Sequence, residues 1–331
     1  MRLIIDCDPG NGVAGANVDD GLALALAIAA SEVQLDMITT VSGNTPSEIG
    51  FNVASHLVNS LGENIPVYRG ASSALVETSA PWRDLLDNGA ERAQLTHLWH
   101  GLPSVPSLPK SMPEAALRIG ELVCQNPKKI TIIAIGPLTN IAMALQLFPE
   151  MAQNVAQIVI MGAVFNVPGY VKDTNFGLDP EAAHAVLSSG ANITLVPMDV
   201  TVQTQMVHSD LDRFASLQSP LSQFLLSTMR PWIDYSRATR KLPGCWIHDV
   251  LTVAWLLDKS IATCERRQVG IELQGALRGK SFYYDALRLR IGIPAPTIEP
   301  ITVLQSVDNQ RLLDLIFQSI SGYSPKLISK K

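Results

Sequence analysis

The feature that most constrains this chain is a short apolar run, residues 3–5, that ends in carboxylates. The run leads directly into Asp6 and Asp8, and a second acidic pair, Asp19 and Asp20, follows a glycine-rich stretch. Carboxylates are costly to bury unless they are paired or bind a metal ion. Four acids within one strand, loop and helix therefore predict a hard cation, a general base, or both.

The composition predicts a globular protein with a large core. The chain has 331 residues, of which 47% are hydrophobic and 17% charged, and its formal net charge is −5. Because no basic stripe is present, nucleic acid and anionic membranes are poor candidates as partners. The four cysteines are far apart, and no apolar run is long enough for a signal peptide or a membrane span. We expect a cytoplasmic, soluble protein.

Short apolar runs alternate with longer helical patterns along the chain. The runs lie at residues 3–5, 37–41, 130–135, 158–161 and 193–198, and the helical patterns between them include 20–30, 113–123, 140–147 and 180–188. This alternation predicts an α/β fold with a mostly parallel central sheet flanked by helices. Ligands of such sheets bind beyond the carboxyl ends of the strands, so the polar residues there should converge.

We interpret the whole chain, residues 1–331, as a single domain with two departures from the alternation. Residues 71–112 contain scattered prolines and no clear period, which indicates an irregular surface excursion that could act as a lid. Residues 206–246 have the pattern of a helical insertion.

Two motifs near the start of the chain allow other functions. Residues 10–15 match the dinucleotide fingerprint G-x-G-x-x-G, but four acids around the loop would repel a pyrophosphate, so the match is weak. Asp6 and Asp8 after an apolar strand also resemble the haloacid-dehalogenase-type phosphatases, which use Mg²⁺. That family expects Thr or Val soon after the second Asp, whereas this chain has Pro9 and Gly10. The phosphatase remains the alternative enzyme.

Further candidates have a structural interpretation beside the functional one. The pair His248 and Asp249 opens a helical pattern, where such residues often act only as caps. Asp179 should cap the helix that starts with proline at position 180. Asp173 and Asn175 have no cap to make in this interpretation and could bind sugar hydroxyls.

Taken in order, these segments resemble one family, the Ca²⁺-dependent nucleoside hydrolases, which include inosine-uridine preferring enzymes. The opening signature of the family, D-x-D-P-G-x-D-D, is similar to residues 6–10 followed by the acidic pair at 19–20. The resemblance continues through segments that span nearly the whole chain, at residues 38–44, 136–140, 160–162, 179–183 and 248–249.

The resemblance implies a role for each matching residue. The implied metal ligands are the carboxylates of Asp8, Asp20 and Asp249 and the backbone carbonyl of Ile135. The implied catalytic residues are Asp8, as the general base, and His248, near the leaving base. The implied substrate-binding residues are Asp19, Asn44, His100, Asn166, Asp173 and Asn175.

The implied function is hydrolysis of the N-glycosidic bond of ribonucleosides to free base and ribose, by a Ca²⁺-bound water that Asp8 activates. The implied partners are a small ribonucleoside and further copies of the chain in a homodimer or homotetramer, and the implied core is Rossmann-like. The chain departs from the family pattern where eight residues, Asn11–Val18, replace one, and where Asp173 replaces Glu. A catalytically inactive nucleoside- or ribose-binding protein is therefore a second alternative.

Overall fold

The computed structural model describes residues 1–109, 111–284 and 299–324, and within them one sheet of nine strands forms the centre of the molecule. The strands are β1 (Arg2–Cys7), β2 (Gln34–Thr40), β3 (Val67–Arg69), β4 (Ile130–Ala134), β5 (Gln157–Met161), β6 (Ile193–Val196), β7 (Ala262–Ile271), β8 (Ser281–Tyr284) and β9 (Ile301–Val307). Their order is β3-β2-β1-β4-β5-β6-β9-β7-β8.

The first seven strands in this order are parallel, and β7 and β8 complete the sheet in antiparallel pairing. In the central strand β1, Ile5 lies between Ile38 of β2 and Ile133 of β4. The direction of strand order reverses between β1 and β4, and such a switch point opens a crevice at the carboxyl ends of the two strands. The sheet therefore places a ligand site next to Asp8 and Ile135, which directly follow these strands.

Helices cover both faces of the sheet. They are α1 (Asp19–Ala29), α2 (Ser47–Ser60), α3 (Ala80–Asp87), α4 (Gly89–Arg92), α5 (Ala115–Gln125), α6 (Thr139–Leu147), α7 (Met151–Asn154), α8 (Thr174–Leu178), α9 (Pro180–Leu187), α10 (Met198–Thr201), α11 (His208–Ala215), α12 (Pro220–Arg240), α13 (Val250–Leu257) and α14 (Asn309–Ser321). Short 3-10 helices lie at Thr96–Trp99, Lys259–Ile261 and Gly275–Leu277. Within the described ranges, no helix combines the length and the apolar character needed to cross a membrane.

The alternation of side chains along β1 divides the core into two layers. Leu3, Ile5 and Cys7 pack into one cluster with α1, α12, α13 and α14, and Ile4 packs into the other with α5, α6 and α9. Successive side chains of a strand point to opposite faces, so a strand covered on both faces must be apolar throughout. This explains why β1 is apolar between Arg2 at its start and Asp6.

The predicted α/β class with a mostly parallel sheet is confirmed, and the differences from the prediction lie at its margins. The sequence analysis did not predict β3, β7, β8 and β9. The first seven residues of β7 are exposed or half-buried and include Glu265, Arg266 and Arg267, so the strand lacks the apolar run of a strand covered on both faces.

The segment 71–112 contains α3, α4 and a 3-10 helix, so the expectation of an irregular segment was wrong for these parts. Residue 110 lies outside the described residues. Helix α3 has no fully buried residue, which explains why it gave no clear period. Residues 206–246 contain α11 and α12.

One buried asparagine ties three parts of the sheet edge together. The Nδ2 of Asn140 donates to Asp6 Oδ1 at 2.8 Å and to the carbonyl of Thr40 at 3.0 Å, and its Oδ1 accepts from the backbone N–H of Ala71 at 2.9 Å. Asp6 Oδ1 also accepts from Thr39 Oγ1 at 2.6 Å. Asn140 therefore joins α6 to β1, to β2 and to the start of the 71–112 segment.

We predict that Asn140→Ala lowers the free energy of unfolding by about 3 kcal/mol, because it leaves buried polar groups without partners. Chemical denaturation measures the change. The control is Asn192→Ala, which removes one exposed hydrogen bond to the Ala156 carbonyl and should cost no more than about 0.5 kcal/mol. Equal losses in the two variants would contradict the assigned role of Asn140.

Candidate active site

The carboxylates at the end of β1 and the start of α1 lie together in the interior. Asp8 and Asp20 are fully buried and Asp19 is 1% exposed. The backbone N–H of Asp8 donates to Asp20 Oδ1 at 2.9 Å, and this hydrogen bond holds the Asp20 carboxylate next to Asp8. Asp249, at the start of α13, donates its backbone N–H to Asp19 Oδ2 at 3.1 Å. Main-chain donors from two separate elements therefore hold the acidic pair in place.

Three of these side chains form a cluster that could hold a metal ion. Carboxylate oxygens of Asp19, Asp20 and Asp249 lie within 4.8 Å of one another, and all three residues are buried. The cluster contains two of the ligands that the resemblance implies, Asp20 and Asp249, and adds Asp19, which was assigned to the ribose. Asp19 Oδ1 is buried and has no hydrogen-bond partner among the described residues.

The electrostatics of the cluster fit a divalent cation. Burial raises the pKa of Asp8 and of Asp19 to about 7. It raises the pKa of Asp20 and of Asp249 well above the usual range, and the neighbouring carboxylates raise both further. Several carboxylates in so small a volume cannot all be ionised without a compensating positive charge. An oxygen-rich, strongly acidic set of this kind is the ligand set that hard cations prefer.

Asn44, which follows β2, connects Asp8 to this cluster. Its backbone N–H donates to Asp8 Oδ2 at 2.7 Å, and its Nδ2 lies 3.1 Å from Asp8 Oδ1 and 3.3 Å from Asp20 Oδ2. The preceding residue must be glycine, because a Cβ on Gly43 would lie 1.7 Å from Asp8 Oδ2. Both oxygens of Asp8 are thus oriented by a single residue of the neighbouring strand end.

The lengthened first loop does not move Asp20 away from Asp8. Gly10 begins a tight turn in which its carbonyl accepts from the N–H of Val13 at 2.9 Å. Asn11 Nδ2 then donates to the Val18 carbonyl at 3.1 Å and contacts Thr228 Oγ1 of α12 at 3.0 Å. The side chain of Asn11 therefore closes the neck of the loop, and the chain returns to Asp19 and Asp20 with both acids buried.

A cavity of about 220 Å³ opens beside the carboxylates. Six of the predicted site residues line it, namely Asn44, Ile135, Asp173, Asn175, His248 and Asp249. The rest of the wall includes Gly15, Ala16, Asn17, Leu86, Met161, Tyr170, Lys172, Met198, Trp232, Arg240 and Trp246. The combination of several polar groups at one end with aromatic rings in the wall is suited to a ligand with a polar part and a flat apolar part.

Asn175 and Asp173 are held by α8 on the side of the cavity formed by β4 and β5. Asn175 Nδ2 donates to the carbonyl of Ile135 at 2.9 Å and to the carbonyl of Met161 at 3.1 Å. Both oxygens of Asp173 accept backbone N–H groups, from Ala163 and Phe176, so this residue caps α8. The expectation that Asp173 has no cap to make was therefore wrong. The Ile135 carbonyl keeps one lone pair beyond the bond from Asn175.

Asp179 caps α9 as predicted, since its Oδ1 accepts from the N–H of Ala182 at 3.0 Å. Its Oδ2 also accepts from Thr139 Oγ1 at 2.6 Å and from the N–H of Leu75 at 3.0 Å. This carboxylate therefore joins α9 to α6 and to the 71–112 segment, and its role is structural.

His248 lies in the cavity wall with one ring nitrogen engaged. Its Nδ1 is 2.6 Å from Thr201 Oγ1, and its ring packs edge-on against Trp246 with centroids 5.6 Å apart. Burial, with a smaller contribution from the positive charge of Arg240, lowers the pKa of His248 to about 3. The imidazole is therefore neutral at pH 7 and acts as a hydrogen-bonding group rather than a strong acid.

Two predicted residues lie apart from this arrangement. His100 and Asn166 are exposed, and neither is among the described residues that line the cavity. The backbone N–H of Asn166 is held by Asp199 Oδ1 at 2.7 Å. The proposed contacts of both side chains with a nucleoside stay predictions.

The sequence analysis missed Arg83, Lys172, Arg240 and Tyr170. They occupy segments without a strand-end motif, and only their positions in the fold bring them to the site.

Comparison with known proteins places this geometry in context. The family model described as inosine-uridine preferring nucleoside hydrolase matches residues 3–314. The pyrimidine-specific ribonucleoside hydrolase RihA of Enterobacter sp. (strain 638) is 31% identical over 333 residues, with 98% of this chain and 99% of that protein covered. Probable uridine nucleosidase 2 of Arabidopsis thaliana is 32% identical over 298 residues, with 87% of each chain covered.

Solved structures show the same fold. The plant nucleoside hydrolase PpNRh1 superimposes with a TM-score of 0.82 at 27% identity, with 97% of this chain and 98% of that chain covered. The purine-preferring ribonucleoside hydrolase from Gardnerella vaginalis gives a TM-score of 0.79 at 28% identity and the same coverage.

The resemblance inferred from the ordered sequence segments is confirmed by these matches, as is the single-domain α/β fold. The similar proteins include one described as pyrimidine-specific and one described as purine-preferring, so the match does not select a base. Because the family model covers nearly the whole sequence, this protein belongs to the inosine-uridine preferring nucleoside hydrolase family.

Proposed function

We propose that this protein hydrolyses the N-glycosidic bond of ribonucleosides, with Ca²⁺ held by its buried carboxylates and with Asp8 as the general base. The observation that carries the proposal is the position of the carboxylate cluster, which lies directly against a cavity that can take a nucleoside. Ca²⁺ is favoured over Mg²⁺ because the site offers many oxygen ligands, including the carbonyl of Ile135. The ligands would be Asp8, Asp20, Asp249 and the Ile135 carbonyl, with Asp19 as a further candidate.

In this proposal, each residue performs a step that its position allows. When bound, Ca²⁺ would orient the water and the ribose diol and lower the pKa of the water. Asp8, fixed by Asn44 through both oxygens, accepts the proton of the attacking water. Asn44 and Asp19 would bind the 2′- and 3′-hydroxyls, and Asn175 would bind the ribose.

The positive charge that develops on the sugar in an oxocarbenium-like transition state is stabilised by the surrounding carboxylates. In the tautomer in which Thr201 donates to Nδ1, the proton of the neutral His248 ring is on Nε2, and this N–H donates a hydrogen bond to the departing base. The substrate contacts that the resemblance implies for Asn166, Asp173 and His100 stay predictions. The cytoplasmic location and the homodimeric or homotetrameric assembly stay predictions.

We expect Asp8→Ala to reduce kcat for uridine or inosine by roughly 10²–10⁴-fold, because it removes the general base, while ribose binding largely survives. Release of free base and calorimetric ribose binding measure the two effects. Asp212→Ala, which removes an exposed carboxylate paired with Arg230, is the control and should leave both unchanged. Near-normal turnover by the Asp8 variant would refute the assignment of the base.

We also expect Ca²⁺ to raise the thermal stability of the protein above its value in a chelator, by about 2.7 kcal/mol at a hundredfold excess over Kd. Asp249→Asn should raise the Tm in chelator, because the raised pKa of the buried Asp249 carboxyl destabilises the folded protein at pH 7, and it should abolish most of the response to Ca²⁺. Differential scanning calorimetry with Ca²⁺, Mg²⁺ and chelator measures both. A variant that responds to Ca²⁺ as the wild type does would contradict the proposed ligand.

A panel of common nucleosides, assayed with and without chelator, separates the proposed function from its alternatives. The proposal predicts Ca²⁺-dependent release of free base and ribose. Release of phosphate from 4-nitrophenyl phosphate with Mg²⁺ would instead indicate the haloacid-dehalogenase-type phosphatase. Saturable nucleoside binding without turnover across the panel would indicate a catalytically inactive nucleoside- or ribose-binding protein.

A further inference from the structure

Arg83 of α3 contacts the strand-end loop that orients Asp8. Its Nη2 donates to the carbonyl of Gly43 at 2.7 Å and lies 3.3 Å from the carbonyl of Asn44. The guanidinium stacks over the ring of Trp82 at 4.8 Å, and its Nη2 is 3.4 Å from Asp87 Oδ1. The side chain is only 12% exposed, although it lies on a helix with no fully buried residue.

The contact involves a single peptide group. The carbonyl of Gly43 and the N–H of Asn44 belong to the same peptide bond, and in a trans peptide they point in opposite directions. Arg83 binds the carbonyl end, and Asp8 Oδ2 accepts from the N–H end at 2.7 Å. A cation on the carbonyl polarises the peptide and strengthens its N–H as a donor, since hydrogen bonds in a chain reinforce one another.

We propose that Arg83 is a positioning residue that fixes the carboxylate of Asp8 through the Gly43–Asn44 peptide. This inference rests on the proposed function of Asp8 as the general base. Arg83 belongs to the 71–112 segment, so docking of α3 completes the orientation of a group on the central strand. The segment thereby contributes to the chemistry itself as well as covering part of the cavity through Leu86.

A purely structural role explains the arrangement less well. Nε and Nη1 of Arg83 are buried without a hydrogen-bond partner among the described residues. Desolvation of a cation with unused donors is unfavourable, so burial of Arg83 is not explained by a gain in stability alone. Its shortest hydrogen bond is with the loop whose Asn44 N–H reaches Asp8.

The test compares three full-length variants in Ca²⁺. Arg83→Met keeps an unbranched, largely apolar side chain and removes the charge and the donors, and it should lower kcat for uridine or inosine by roughly 100-fold with KM nearly unchanged. Arg83→Lys restores one charged donor and should recover part of that loss. Arg92→Met, which removes an exposed arginine paired with Asp84 in the same segment, is the control and should match the wild type.

Two measurements that do not depend on turnover accompany the kinetics. The amide of Asn44 should exchange its hydrogen faster in Arg83→Met than in the wild type, because its hydrogen bond to Asp8 is weaker. The Tm should fall by no more than about 4 °C, and the stabilisation by Ca²⁺ should be retained.

Normal kcat in Arg83→Met, or unchanged exchange of the Asn44 amide, would overturn the inference. A combined loss of kcat, Tm and Ca²⁺ response that Arg83→Lys does not relieve would show a structural role and would also overturn it. If the wild-type protein releases no base from any nucleoside, the proposed function fails, whereas the exchange of the Asn44 amide still decides whether Arg83 fixes Asp8.

Discussion

Mutual repulsion among buried carboxylates is the constraint on which the rest of this structure depends. Asp8, Asp19, Asp20 and Asp249 lie close together out of contact with solvent, and each opposes the ionisation of its neighbours. The fold tolerates this because main-chain N–H groups are aimed at the oxygens and because a cation can enter from the cavity. Strand β1 ends at this point, next to the reversal of strand order between β1 and β4. The carboxyl end of the sheet therefore carries an unfavourable concentration of acidic side chains.

The sequence allowed the parallel strands and the acidic site to be predicted because both have local signatures. A strand buried on both faces is a continuous apolar run, and polar residues directly after such runs must meet at one edge. The joint assignment of Asp20 and Asp249 came from the family resemblance, because both residues open helices and neither directly follows an apolar run. The inclusion of Asp19 among the three clustered carboxylates could not be predicted, because it depends on how the backbone N–H of Asp249 approaches α1.

Other parts of the site have no signature in the sequence. Arg83 binds backbone carbonyls, which every residue carries, so no pairing of residue types marks the contact. The cap made by Asp173 required the turn after β5 to bring the N–H of Ala163 back to it. His100 and Asn166 were assigned from the family resemblance, and neither is among the described residues that line the cavity. A match to a family position does not by itself place a side chain there.

The loop Asn11–Val18 has a consequence for how this protein can diversify. The side chain of Asn11 closes the neck of this loop, so changes elsewhere in the loop need not alter the positions of Asp19 and Asp20. The second half of the loop supplies Gly15, Ala16 and Asn17 to the cavity wall. Mutations in this part of the loop can therefore change the shape of the cavity without moving the carboxylate cluster.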